Sequence, residues 1–313
     1  MSETGAVPVF LNARAGRSRD PAQALYDGFG DTIAVTAAPG ASLRSLVADA
    51  VAAGEPVIGV AGGDGTMRTA AAVLVHTDTA LLCIPTGTLN TFARRQGIVD
   101  IAAAATALRE RRILRVAVGT IENEYFLNTL TFGEYARIVR RREQYRRFIG
   151  KPAAALIATG ATLVTLRQTI VHLDVDGETL VRRTPVVWVG LGWGSFPRLT
   201  ASQERRSNPD LEVVVVRHAS KFATTATLMR LARGVLRGQA PVRDPQLEVL
   251  HTRAIYLERA SPAPPDGSGD AIDATADGEL LRTRGAAHVG VLDAALRVLQ
   301  GPARNVAIDA RLT

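Results

Sequence analysis

Cysteine and aromatic side chains are scarce in this sequence, and each shortage closes off a class of function. The one cysteine, Cys83, has no partner for an intrachain disulfide and belongs to no cysteine–histidine spacing of the kind that holds zinc. It sits inside "ALLCIP", where a small buried hydrophobe is expected. Aromatic residues make up 5% of the chain and do not interleave with its arginines, so no nucleic-acid partner is expected. No apolar run is long enough to span a bilayer, and the longest, Ala153 to Leu166, is interrupted by Thr and Gly. The opening "MSETGAVPVF" has no basic region leading into an apolar stretch. The expected location is therefore cytoplasmic, with contact to the inner face of the membrane left open.

What the chain does have is length, arginine and alternation. Its 313 residues suffice for two domains. Lys151 and Lys221 are the only lysines among 37 basic residues, and the net charge is +7. That excess suits an anionic partner such as a nucleotide or a lipid surface, and suits equally a general compositional bias toward arginine. The densest basic stretch, Arg137 to Lys151, reads as a helix whose positive face either docks on anionic headgroups or is simply solvated.

Over the first 120 residues strands and helices alternate. "VPVFL" (7–11), "TIAVT" (32–36), "PVIGVA" (56–61) and "ALLCIP" (80–85) read as strands, the last two continuously apolar as in a buried parallel sheet. Leu43, Leu46, Val47, Ala50 and Val51 recur at helical spacing, and Met67 to Val75 reads as a second helix. This pattern predicts a doubly wound α/β domain over residues 1–119, with ligands outside the carboxyl ends of the strands. From about Arg112 the texture shifts to short alternating strands with turn signals such as Asp176-Gly177, interrupted by helical stretches at 134–148, 153–167 and 221–236. Residues 120–313 thus read as a mainly antiparallel β domain, with the last residues free to pack back on the first.

Two loops carry chemistry. "GGDGT" leaves one apolar strand and enters a helix, so Gly62, Gly63 and Gly65 let the backbone approach a phosphate that the helix N-terminus favours. Asp64 repels a phosphate directly and makes sense beside one as a magnesium-linked or proton-handling group. The spacing is not that of a P-loop. "IPTGTLNTFARRQGI" leaves the next strand with Thr86, Gly87, Thr88 and Asn90 suited to line a polyphosphate, followed by a short helix and the charges of Arg94 and Arg95. With "NARAG" (12–16), three loops fall at one edge of one sheet.

Taken together, GGDGT, PTGTLNTFAR and the late "ADGELLR" (276–282) resemble the diacylglycerol kinase catalytic-domain family, which includes bacterial lipid kinases and the sphingosine kinases. The "GTLN-x-FAR" form is similar to a bacterial subgroup. The resemblance implies an α/β nucleotide-binding domain and a β-rich domain with the site in the cleft. It implies ATP and Mg²⁺ as cofactors, a lipid alcohol as acceptor, and leaves a homodimer open. It places Asn12, Ala13, Arg14, Ala15, Gly16, Thr36, Gly62, Gly63, Asp64, Gly65, Thr66, Met67, Arg68 and Thr88 at nucleotide-binding positions. It makes Glu279 the proton acceptor, with Asp277 beside it.

This sequence departs from the family pattern at several points. Thr91 stands where many members carry aspartate, and Arg68-Thr69 replaces a common Asn-Glu pair. Ser207, Asn208 and Pro209 fill places where relatives carry an acidic, magnesium-holding stretch. Two alternatives stay open: an NAD kinase-like phosphotransferase, which shares GGDGT, and a nucleotide-binding protein without turnover.

Overall fold

A computed structural model describes residues 5–12, 20–39, 41–133, 135–136, 139–140, 169–191, 210–217, 246–259, 271–284 and 286–302. The expected helices at 134–148, 153–167 and 221–236, the loop residues Ala13–Gly16 and the Ser207–Pro209 stretch lie wholly or mainly outside them. The chain divides into two compact units, one from Met1–Ala117 with Ala294–Thr313 and the other from Val118–Asp293.

In the first unit, β1 (Val7–Leu11), α1 (Pro21–Phe29), β2 (Ile33–Ala37), α2 (Leu43–Ala52), β3 (Val57–Gly62), α3 (Asp64–Leu74), β4 (Ala80–Pro85), α4 (Thr91–Arg95) and α5 (Ile101–Glu110) follow one another. Helix α1 opens on Asp20, whose carboxylate accepts from the Gln23 amide at 3.0 Å, with Pro21 at its first position. Asp100 does the same for α5 through the Ala103 amide at 2.7 Å. The strands lie parallel in the order β2-β1-β3-β4, with Val9 opposite Val35 and Val60 opposite Cys83. All six residues of β3 are buried, as their unbroken apolar run requires. The order reverses between β1 and β3, so the crevice at their carboxyl ends is the switch point where such sheets take ligands.

The second unit is built from antiparallel strands. β7 (Thr129–Gly133), β10 (Val186–Leu191), β11 (Leu211–Val216), β12 (Leu247–Thr252), β14 (Ala271–Ala276) and β15 (Glu279–Arg284) form one sheet, ordered β12-β11-β10-β7-β14-β15. β8 (Thr169–Val175), β9 (Glu178–Thr184), β13 (Ala254–Arg259) and the first part of β16 (Ala286–Leu299) form another, with the end of β5 (Ile113–Ile121) pairing β16 and β6 (Glu124–Phe126). Alternate residues of both sheets, among them Leu173, Leu257, Val187, Val213 and Phe132, close one buried core. At the sheet margins Arg182 of β9 forks onto Glu248 of β12 at 2.7 and 2.8 Å. Hydrogen bonding by that guanidinium outweighs partial burial and holds the Glu248 carboxyl below its ordinary range.

The fold is thus an N-terminal α/β domain with a parallel sheet and a C-terminal antiparallel β domain, the class that the alternation predicts. Boundaries moved by a residue or so in the strands. The larger shift is in α3, which begins at Asp64 and not Met67: Gly63 takes the cap position, and its extended backbone admits Asp64 and Gly65 to the first helical turn.

Candidate functional site at the switch point

Three chain segments meet at the carboxyl edge of the first unit's sheet. The Asn12 amide donates to the Ala61 carbonyl at 3.0 Å, and its side-chain Nδ2 donates to Thr66 Oγ1 at 3.0 Å. The end of β1 is thereby tied to the first turn of α3. The Gly62 carbonyl accepts from the amides of Thr86 and Gly87 at 3.2 and 3.3 Å, which ties the end of β3 to the loop after β4. At the crossing Gly63 and Gly87 touch backbone to backbone. A Cβ on Gly87 would lie 2.5 Å from the Gly63 Cα, so only glycine fits. The first-turn amides of α3 have no partner inside the helix and point out of this edge.

The Asp64 carboxylate is committed to the neighbouring loop. Its Oδ1 accepts from the Phe92 amide at 2.9 Å and its Oδ2 from the Thr91 amide at 3.1 Å. Both donors are first-turn amides of α4, a helix whose own cap residue, Asn90, makes no side-chain cap bond. Asp64 therefore caps α4 from 27 residues away. Asn90 is occupied too. It is buried in the left-handed region at φ 51°, its Oδ1 accepts from the Gly87 amide at 3.0 Å, and its Nδ2 returns a bond to the Gly87 carbonyl at 2.9 Å. These bonds fix the loop from 86 to 92. Thr88 is exposed on it, while Thr86 Oγ1 is buried with no hydrogen-bond partner among the described residues.

Of the other sequence-expected residues, Met67 is buried in the core and Thr36 stands exposed near the end of β2, opposite Phe10. Arg68 is half-buried, with Nε and Nη1 inside. Beneath the loops, burial and secondarily the Asp64 charge push the Cys83 thiol far up, which makes it an inert core residue.

In the second unit, Asp277 and Gly278 form the two-residue turn between β14 and β15, with φ of 50° and 83°. The Asp277 carboxylate accepts three backbone amides: Leu127 at 2.8 Å, Asn128 at 2.8 Å and Thr129 at 3.1 Å. It fixes the 127–129 loop, to which its own amide also donates at the Thr129 carbonyl. Glu279 follows as the first residue of β15, paired with Ala276 and exposed. Sequence reasoning found Asp64 and Asp277 but not the amides that they hold, because a backbone N–H leaves no mark on residue type.

The comparisons with known proteins agree with the sequence resemblance. Residues 7–121 match the family model of the diacylglycerol kinase catalytic domain. A protein of Pseudomonas aeruginosa named "Probable lipid kinase YegS-like" is 34% identical over 122 residues, which cover 38% of this chain and 40% of that protein. Its namesake in Pseudomonas savastanoi pv. phaseolicola is 31% identical over 154 residues, 48% of this chain and 50% of the relative. The chain thus matches about half the length of these relatives or less. A solved diacylglycerol kinase structure from Bacillus anthracis shares the fold, with a TM-score of 0.66 at 17% identity over 96% of this chain and 99% of that one. A second structure from the same organism gives a TM-score of 0.70 at 19% identity, covering 95% and 98%.

Proposed function

We propose that this chain, whose residues 7–121 carry the diacylglycerol kinase catalytic domain, is a lipid kinase that transfers the γ-phosphoryl group of ATP to the hydroxyl of diacylglycerol or a related lipid alcohol. The observation that supports this reading best is the Gly63–Gly87 contact at the switch point. It brings two loops together where the α3 amides favour a polyphosphate. Asn12, Gly62 to Thr66, Thr86, Gly87, Thr88 and Asn90 form the nucleotide edge, Thr86 Oγ1 being buried with no hydrogen-bond partner among the described residues.

Asp64 and Asp277 act in this reading as positioning residues, each holding a loop through backbone amides. Asp64 is the carboxylate that would meet a magnesium ion carried in on the ATP phosphates; each of its oxygens already accepts one amide, so it would share that ion with the α4 amides. Glu279 takes the proton of the lipid hydroxyl as its oxygen bonds to the γ-phosphorus and the bond to the β–γ bridging oxygen breaks, releasing ADP.

The test is transfer of label from γ-labelled ATP to detergent-dispersed lipid extract, with NAD as a parallel acceptor. Wild type should yield a labelled phospholipid, and Glu279→Gln should lower the rate by roughly 10²–10⁴. Nucleotide binding without transfer would make the chain a non-catalytic binder, and label on NAD would move it to the other kinase class.

A further inference from the structure

We propose that a cavity at the amino ends of β3 and β4 is a binding site for a small amphipathic carboxylate, with Arg111 pairing the charge and Val51, Val57 and Ile113 covering the apolar body. The cavity has a volume of about 450 Å³ and is lined entirely by residues of the first unit. That size lies within the roughly 300–1,000 Å³ usual for small-molecule sites. Pro56, Val57 and Thr79 place it beside the first residues of the two strands, whereas Gly62 and Thr86 lie at their other ends. It is therefore separate from the switch-point edge, and the proposal does not rest on the lipid-kinase reading.

The polar groups of the walls are engaged among themselves. The Thr77 and Thr79 hydroxyls each donate at 2.8 Å, to the Leu74 and Glu55 carbonyls. The Gly54 and Glu55 amides donate to the Val51 and Ala50 carbonyls at 3.0 and 3.1 Å. Apolar surface lies between them, and Ile113 stays 40% exposed there. The rim carries charge. Arg297 Nη1 and Arg115 Nη2 lie 3.1 and 3.8 Å from the same oxygen, Asp78 Oδ1, which shows that this corner accepts a carboxylate. Asp78 occupies those two arginines, and among the described residues no hydrogen bond or ion pair engages the Arg111 guanidinium. Arg111 also stands at φ 50° in the left-handed cap of α5, a position that favours glycine. The carboxyl end of α5 attracts one cation by its dipole. It does not call for three guanidiniums, which outnumber Asp78 and Glu55 at this corner. A cavity with apolar walls and an unengaged cation at its rim fits an anion that carries a short hydrocarbon body.

Octanoate is the probe, and octan-1-ol its uncharged control, in calorimetric titrations of the full chain with ATP held in excess. Excess ATP keeps octanoate off the switch-point edge if nucleotide binds there, and changes nothing if it does not. Wild type should bind a single octanoate, about tenfold or more tightly than octanol. Ile113→Ser should weaken octanoate binding on the order of tenfold. Arg111→Gly gives two readings of opposite sign. Octanoate affinity should fall about tenfold, while the thermal midpoint should rise by roughly 2 °C because glycine suits the left-handed cap. A purely structural arginine would move the midpoint alone. Absence of saturable binding to wild type, equal affinity for octanol, or octanoate affinity that Arg111→Gly leaves unchanged would each overturn the proposal.

Discussion

Replacing Asp64 separates a carboxylate that positions a loop from one that does chemistry. Two α4 amides lose their acceptor in Asp64→Ala, at contacts of 2.9 and 3.1 Å. A lost cap costs about 0.5–2 kcal/mol, and a hydrogen bond to a charged group about 1.5–3 kcal/mol. For this half-buried pair the loss should come to roughly 2–4 kcal/mol of unfolding free energy. Asp64→Asn keeps one acceptor and should lose about half as much. Urea unfolding reads this as a lowered midpoint at unchanged slope. ATP affinity should fall in step with stability, because what is lost is the set of the 86–92 loop. Phosphoryl transfer in Asp64→Asn, measured at saturating ATP and magnesium, should stay within about tenfold of wild type, far above the 10²–10⁴ loss typical of a proton-transfer group. An Asp64→Asn variant as stable as wild type yet as inactive as Asp64→Ala would refute the positioning role, since the charge itself would then be what catalysis requires.

Two further perturbations probe the framework. Gly87→Ala should lower stability by about 1–3 kcal/mol and weaken nucleotide binding by a larger factor than any substitution at exposed Thr88, because the new methyl meets Gly63 backbone and not a flexible side chain; calorimetric titration with ATP measures this. The Arg182–Glu248 pair contributes on the order of 1 kcal/mol after its partial exposure is discounted. The Glu248 pKa is depressed in the folded protein, so that contribution is present above the ordinary carboxylate value and lost as pH falls through the folded one. The stability gap between wild type and Glu248→Gln should be flat from about pH 6 to 8 and close below about pH 4.

The strands at 57–62 and 80–85 were legible because a parallel sheet buried on both faces demands unbroken apolar runs, and these have them. The Asp176-Gly177 turn was legible for a similar reason, since both positions need positive φ and this pair supplies it. Helix α5 is harder to read: its buried face is mostly alanine, and its clearest signal is the Asp100 cap. The least legible features were the acceptor roles of Asp64 and Asp277. Their partners are amides 27 residues downstream and 150 residues upstream, at positions where any side chain would serve equally well. Sequence singles out the acids and suggests chemistry for them, whereas the structure gives each a backbone to hold.

Strand β16 begins in the second unit, and its last residues belong to the first. There Val298 lies opposite Leu81, the His76 amide donates to the Ala295 carbonyl at 2.9 Å and the Gly301 amide to the Gln96 carbonyl at 2.8 Å. During synthesis, the β4 edge of the first unit's sheet therefore waits, with unpaired backbone groups exposed, until the chain has been made past Val298. The first unit thus completes its sheet only with residues that follow the whole of the second.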